Sequence, residues 1–241
     1  MNLKGDKLAM AKAIASIVSD WTSGRGDPRP LISIAQRESN FVPTAAADIT
    51  AATKVWQRLK PQYIAHGNPW TDNDAAFGAS RGLYQLMVPY QLKRWDWTAH
   101  PLALEHPVVA TVVAGRIVNN AIALGAKTPV DVRMVWAFGG DGLSIAKTDV
   151  RYTDRVKKEQ DRMESLGFGR DLALAPIASM GYEAFGKDVQ PGQEQKAAAI
   201  AAKLGLALWP GASTTTPKQQ QGGSAATLVA LGLLAWGVLR A

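Results

Sequence analysis

The stretch Ile34-Ala35-Gln36-Arg37-Glu38-Ser39-Asn40-Phe41 decides how the rest of the chain is read. A largely apolar run, Leu31–Ser39, follows the Pro-containing turn Gly24–Pro30, ends in a carboxylate and is closed by Asn40, Phe41 and Pro43. Its spacing predicts a helix whose last turn carries Glu38 beside an aromatic ring. A carboxyl partly desolvated in such a place is suited to donate a proton near neutral pH. Taken alone, a glutamate at a helix end is ordinarily a solvated one. The segments that follow it in the chain give it weight.

Working outward, the pattern is helical. Leu8, Ala11, Ile14, Ala15 and Val18 form one apolar stripe, so residues 1–24 are expected to hold an amphipathic helix. Thr50–Leu59, Pro107–Leu124, Val130–Phe138 and Asp149–Leu166 have helical spacing, the last with charge on its outer face. Gln193–Leu208 is an Ala-rich, mildly amphipathic segment. Alternating strand patterns and internal repeats are scarce, which favours a mainly α domain.

Composition narrows the chemistry. The 241 residues contain no cysteine and only three histidines, His66, His100 and His106. That excludes a disulfide framework, a thiol nucleophile and Cys-ligated metal, and leaves little for a His-rich metal site. No cofactor is expected. The net charge is +7, yet residues 195–241 hold Lys196, Lys203, Lys218 and Arg240 without one acid, leaving three of those charges to residues 1–194. Arg155-Val156-Lys157-Lys158 is bracketed by Asp154 and Glu159 and reads as a solvated helix face. Nucleic acid is therefore not an expected partner.

The tail divides again. Residues 211–224 (GASTTTPKQQQGGS) read as a flexible linker. Ala225–Leu239 then carries no charge and, as a helix, would span about 22 Å at ~1.5 Å per residue. That is short of roughly 30 Å of bilayer hydrocarbon, but Trp236 and Arg240 suit interfacial positions, so membrane association through this segment is expected. The N-terminal residues do not read as a secretory signal, since Lys12 interrupts the apolar run.

Three further segments follow Glu38 in order. Gly82-Leu83-Tyr84-Gln85-Leu86-Met87, preceded by Ser80 and followed by Pro89, combines glycine, an amide and apolar faces, the mixture a sugar-binding cleft uses. Val135-Trp136-Ala137-Phe138-Gly139 is an apolar helix stopping at glycines, and Tyr152 precedes Val156 by four residues on a charged helix. In this order the segments resemble the soluble-type lytic transglycosylase domain, a goose-type lysozyme-like fold that cuts bacterial peptidoglycan. That family runs Glu-Ser-x-Phe, Gly-Leu-Met-Gln-Leu-Met-Pro, Ala-Tyr-Asn-Ala-Gly and Tyr-x-x-x-Val.

The resemblance covers residues 25–166. It implies that Glu38 is the single catalytic carboxylate, protonating the bond between N-acetylmuramic acid and N-acetylglucosamine. Glu38 would then deprotonate the muramic 6-hydroxyl to give a 1,6-anhydro product. Tyr84, Gln85, Met87 and Trp136 would line the cleft, Tyr152 would bond to Glu38, and Ser39 and Ser80 would support the site or contact substrate. The chain departs from the pattern at Trp136 and Ala137, where the family has tyrosine and asparagine, and in an insertion over residues 42–77. Asp72 and Asp74 in that insertion leave open a hydrolytic, lysozyme-like outcome. A non-catalytic wall-binding or virion structural module is the reading from another class. Residues 167–210 are expected as a helical extension. The whole suits a phage virion protein opening the wall at genome entry, in contact with peptidoglycan, membrane and other virion proteins; a bacterial secretion or conjugation enzyme is the runner-up.

Overall fold

The computed structural model describes residues 6–46, 57–58, 60–61, 64–65, 80–87, 97–98, 101–179, 181–186, 190–209 and 212. Most of the expected insertion, including Asp72 and Asp74, lies outside them, as do the linker apart from Ala212 and the apolar segment 225–241. Among the described residues no helix is long and apolar enough to cross a membrane.

The fold is mainly helical. Its elements in chain order are α1 (Asp6–Thr22), α2 (Arg29–Ser39), two short strands β1 (Ser80–Arg81) and β2 (Leu86–Met87), α3 (Pro107–Ala123), α4 (Pro129–Phe138), α5 (Val150–Ser165) and α6 (Gln193–Lys203). Short 3-10 segments intervene at Pro101–Glu105, Gly139–Ser144, Arg170–Ala173 and Tyr182–Phe185. The starts follow ordinary capping chemistry. Pro lies in the first turn of α2, α3 and α4, where its missing N–H costs nothing. Thr128 and Asp131 form a reciprocal capping box on α4, and Asp149 caps α5.

One apolar core runs from Ala11 to Trp209. Val108, Val109, Val112 and Val113 of α3 sit at its centre, fully or almost fully buried, with Ile14, Val18 and Trp21 of α1 and Leu31 and Ile34 of α2 packed around them. The expected boundaries at residues 24 and 166 do not divide this packing. Trp21 stacks on Phe185 at 5.9 Å and donates to the Ala184 carbonyl at 3.0 Å. Ala197, Ile200, Ala201 and Trp209 belong to the same cluster. The first helix and the segment after residue 166 are thus walls of the core. A stripe of small apolar residues on α6 needs a partner surface to leave water, and α1 and α3 supply it. A smaller cluster, Val130, Met134, Met163 and Ala173, joins α4 to α5 and is lined by Tyr152 and Val156.

Candidate functional site

The end of α2 is tied to the turn between β1 and β2. Asn40 terminates the helix in the left-handed region at φ 53°, with its N–H on the Gln36 carbonyl, and Phe41 continues there at φ 65°. For a bulky residue that conformation is strained and persists because packing enforces it; Phe41 is 4% exposed in the core. The reversal sends the chain to Ala45, whose carbonyl accepts the Gly82 N–H at 2.9 Å and the Gln85 side-chain amide at 3.0 Å. Ser39 Oγ donates to the Leu83 carbonyl at 2.9 Å or to Ala35 at 3.1 Å. The two segments that sequence sets more than forty residues apart are therefore in direct hydrogen-bonded contact.

Gly82 is obligatory in this turn. It has φ +77°, and a Cβ built on it would lie 1.9 Å from the Leu104 carbonyl oxygen. Its neighbours Leu83 and Tyr84 are both fully buried. Tyr84 shares a hydrogen bond of 3.0 Å with Thr111 of α3, and burial pushes its phenol well above the usual range. It is a core residue and does not line a cleft, contrary to the sequence expectation. The turn, held between Gly82 and the left-handed Gln85 (φ 48°), aims this apolar pair inward. Gln85 spends its N–H donors on the Ala45 and Gly82 carbonyls, both at 3.0 Å. Ser80 pairs with Met87 across the two short strands, and Arg81 is ion-paired to Glu105.

Glu38 faces α4. Its side chain is 25% exposed, and both Arg133 Nη1 and Nη2 donate to its Oε1 at 3.2 Å. Among the described residues no group bonds Oε2. Arg133 is 2% exposed. Desolvation is the largest influence on it and pulls the guanidinium below its ordinary pKa; the charges of Glu159 and then Glu38 oppose that pull. Glu159 is fully buried, accepting from Ser33 Oγ of α2 on one oxygen and from Arg162 on the other. The cluster therefore ties α2, α4 and α5 together through charge.

Tyr152 does not join it. It lines a separate cavity of about 600 Å³ with Lys127, Thr128, Asp131, Lys147 and Leu174. Burial, and then the nearby Asp131 charge, raise its phenol pKa. The expected bond from Tyr152 to Glu38 is absent for a geometric reason. Tyr152, Val156 and Glu159 share one face of α5, but seven residues separate Tyr152 from Glu159, about 10 Å along the helix axis. Asp131 and Arg133, two residues apart on α4, point to different sides. Trp136 is half-buried against the main core while Ala137 is exposed.

Arg133 and Glu159 escaped the sequence reading. Arg133 offered the one sequence signal: it is the single cation inside the mostly apolar run Val130–Phe138. Glu159 sits among Lys157, Lys158 and Arg162 and is indistinguishable from a solvated charge. Among the described residues no group of His, Asp or Glu side chains is arranged to hold a metal ion. Set against protein-family models, curated proteins and solved structures, the chain matches none.

Proposed function

We propose that this protein is a peptidoglycan lytic transglycosylase with Glu38 as its only catalytic carboxylate. One observation carries the reading: the Glu38-Ser39 helix end and the Gly82–Gln85 turn are hydrogen-bonded to each other, and among the described residues nothing bonds Glu38 Oε2. The protonated Oε2 delivers its proton to the glycosidic oxygen as the bond from the muramic anomeric carbon to that oxygen breaks. The muramic 6-hydroxyl then attacks the anomeric carbon and returns its proton to Oε2. A ring-closed anhydro sugar leaves, and the carboxyl is restored without water. Gln85, held by Ala45 and Gly82 through its nitrogen, keeps its carbonyl oxygen for an acetamide N–H or a hydroxyl.

The test is the mass of the products released from purified peptidoglycan. Anhydro-muropeptides, lighter by one water than hydrolysed ones, are expected from the wild type and none from Glu38→Gln. Products carrying an added water would replace this reaction with a muramidase reaction of the same site. The acid-free tail, its linker and its uncharged segment support action in the cell envelope as part of a phage virion. Flotation of the full chain with liposomes, lost in a chain ending at Gln221, tests the membrane part.

A second reading has its own observation. Arg133 is buried and Glu38 is one of its two counter-charges, so Glu38 serves there as a structural ion-pair partner in a non-catalytic wall-binding or virion module. A wild type that releases nothing, together with a Glu38→Gln variant of lowered melting temperature, selects it.

A further inference from the structure

We propose that Arg133 is the positioning residue of the Glu38 carboxyl, with the buried Glu159 as a second negative charge near it; this rests on the reading of Glu38 as acid and base given above. The geometry is unusual for an arginine–carboxylate pair. The common fork places one N–H on each carboxylate oxygen. Here both terminal nitrogens converge on Oε1 at 3.2 Å. The carboxyl is thereby turned so that Oε2 alone is available for proton transfer. Arg133 does not exchange protons itself, because a guanidinium stays charged at any working pH. It acts through Glu38.

A buried network on the neighbouring helices accompanies the pair. The fully buried Glu159 adds a second negative charge near the guanidinium without a hydrogen bond or ion pair to it. Both Glu159 oxygens are engaged, one by Ser33 Oγ and one by Arg162. The carboxylate therefore has no freedom to swing toward Arg133 or away from it. Ser33 sits on α2 five residues before Glu38, so the same helix that carries the acid also carries the lock on its partner's counter-charge. Replacing a buried charge array by apolar side chains is often neutral for stability. What the array supplies is orientation of one carboxyl oxygen.

Turnover of peptidoglycan by the wild type, Glu38→Gln, Arg133→Lys and the charge-balanced double variant Arg133→Met/Glu159→Gln tests this, with a melting curve for each. Arg133→Lys keeps the charge but has one nitrogen in place of two. Its kcat is expected to fall about tenfold with KM within twofold of wild type. The double variant removes both buried charges together and is expected to lose about 100-fold in kcat, the scale of a misplaced catalytic group, again with little change in KM. Restoring arginine alone, as the single Glu159→Gln variant, is expected to recover part of that loss. A kcat in Arg133→Lys within twofold of wild type overturns the positioning role, whether or not the double variant folds. A loss confined to KM does so as well. If Glu38→Gln is inactive while Arg133→Lys is not impaired, the positioning role alone fails. A wild type that releases no muropeptides of either kind overturns both.

Discussion

Helix α4 carries charge on two sides, and the two sides are built differently. On one, Arg133 is 2% exposed and answers two carboxylates, Glu38 and the fully buried Glu159. On the other, Asp131 caps the helix, accepting the Lys127 and Thr128 N–H groups at 2.9 Å, and shares an open cavity with Tyr152. The first arrangement needs every partner, because a buried charge that loses its counter-charge has no water to turn to. The second is half-wet, and water replaces what a substitution removes. Two residues of separation on one helix thus decide whether a charge couples three helices or merely ends one.

The comparison is broken most severely at Glu38. Glu38→Gln keeps the shape and both oxygen-side contacts available to Arg133 but removes the exchangeable proton, and turnover is expected to drop by roughly 10²–10⁴-fold, the usual worth of a positioned acid or base. Release assays on purified peptidoglycan read this directly.

Stability separates the two sides next. Glu159→Ala removes the ion-pair partner of Arg162 and a second negative charge near Arg133, and is expected to cost about 3–5 kcal/mol, as breaking buried pairs does. Asp131→Ala removes half of a capping box and is expected to cost about 1 kcal/mol. Denaturant unfolding of both variants checks the pair. Equal losses would mean that the Arg133 side is as wet as the other.

A pH effect bears on the far end of the core. His106 Nε2 bonds the Ala207 carbonyl at 2.8 Å, its ring meets Trp209 edge-on at 5.3 Å, and among the described residues its buried Nδ1 has no partner. Burial lowers its pKa, and the Ala207 carbonyl only partly opposes this. The folded state therefore resists protonation that the unfolded state accepts near its ordinary value of 6.5. Stability is complete above that pH and declines as pH falls below it toward the lower folded value. Melting curves from pH 8 to 5 are expected to show this slope, and His106→Gln is expected to flatten it.

The smallest effect is expected at Tyr152. Tyr152→Phe removes a hydroxyl that bonds neither Glu38 nor Arg133, so kcat should stay within twofold and stability within about 0.5 kcal/mol. A loss of turnover comparable to that of Arg133→Lys would return Tyr152 to the role that the family resemblance gives it.

The helices were legible because their signals are local. Pro107–Leu124, Val130–Phe138 and Asp149–Leu166 emerge within a residue or two as α3, α4 and α5, each opened by a proline or a capping side chain. The site was legible only in part. Glu38 and Gly82 could be picked out by motif, but Tyr84, polar at one end, reads equally as a cleft residue or a core residue, and only Thr111 across α3 decides for the core. Glu159 carries the same letters as its solvated neighbours, and its burial depends on how α5 is rotated against α2 and α4.

What the sequence determined by itself is therefore the class of fold, the helix ends and the position of one carboxylate at the close of α2, since propensity, capping and apolar periodicity act over a few residues. Tertiary structure alone decided which groups surround that carboxylate. Arg133 reaches it from α4, backed by the Ser33–Glu159 contact between α2 and α5, and a charge pair formed across 95 residues between Glu38 and Arg133 leaves no trace in the local pattern of either.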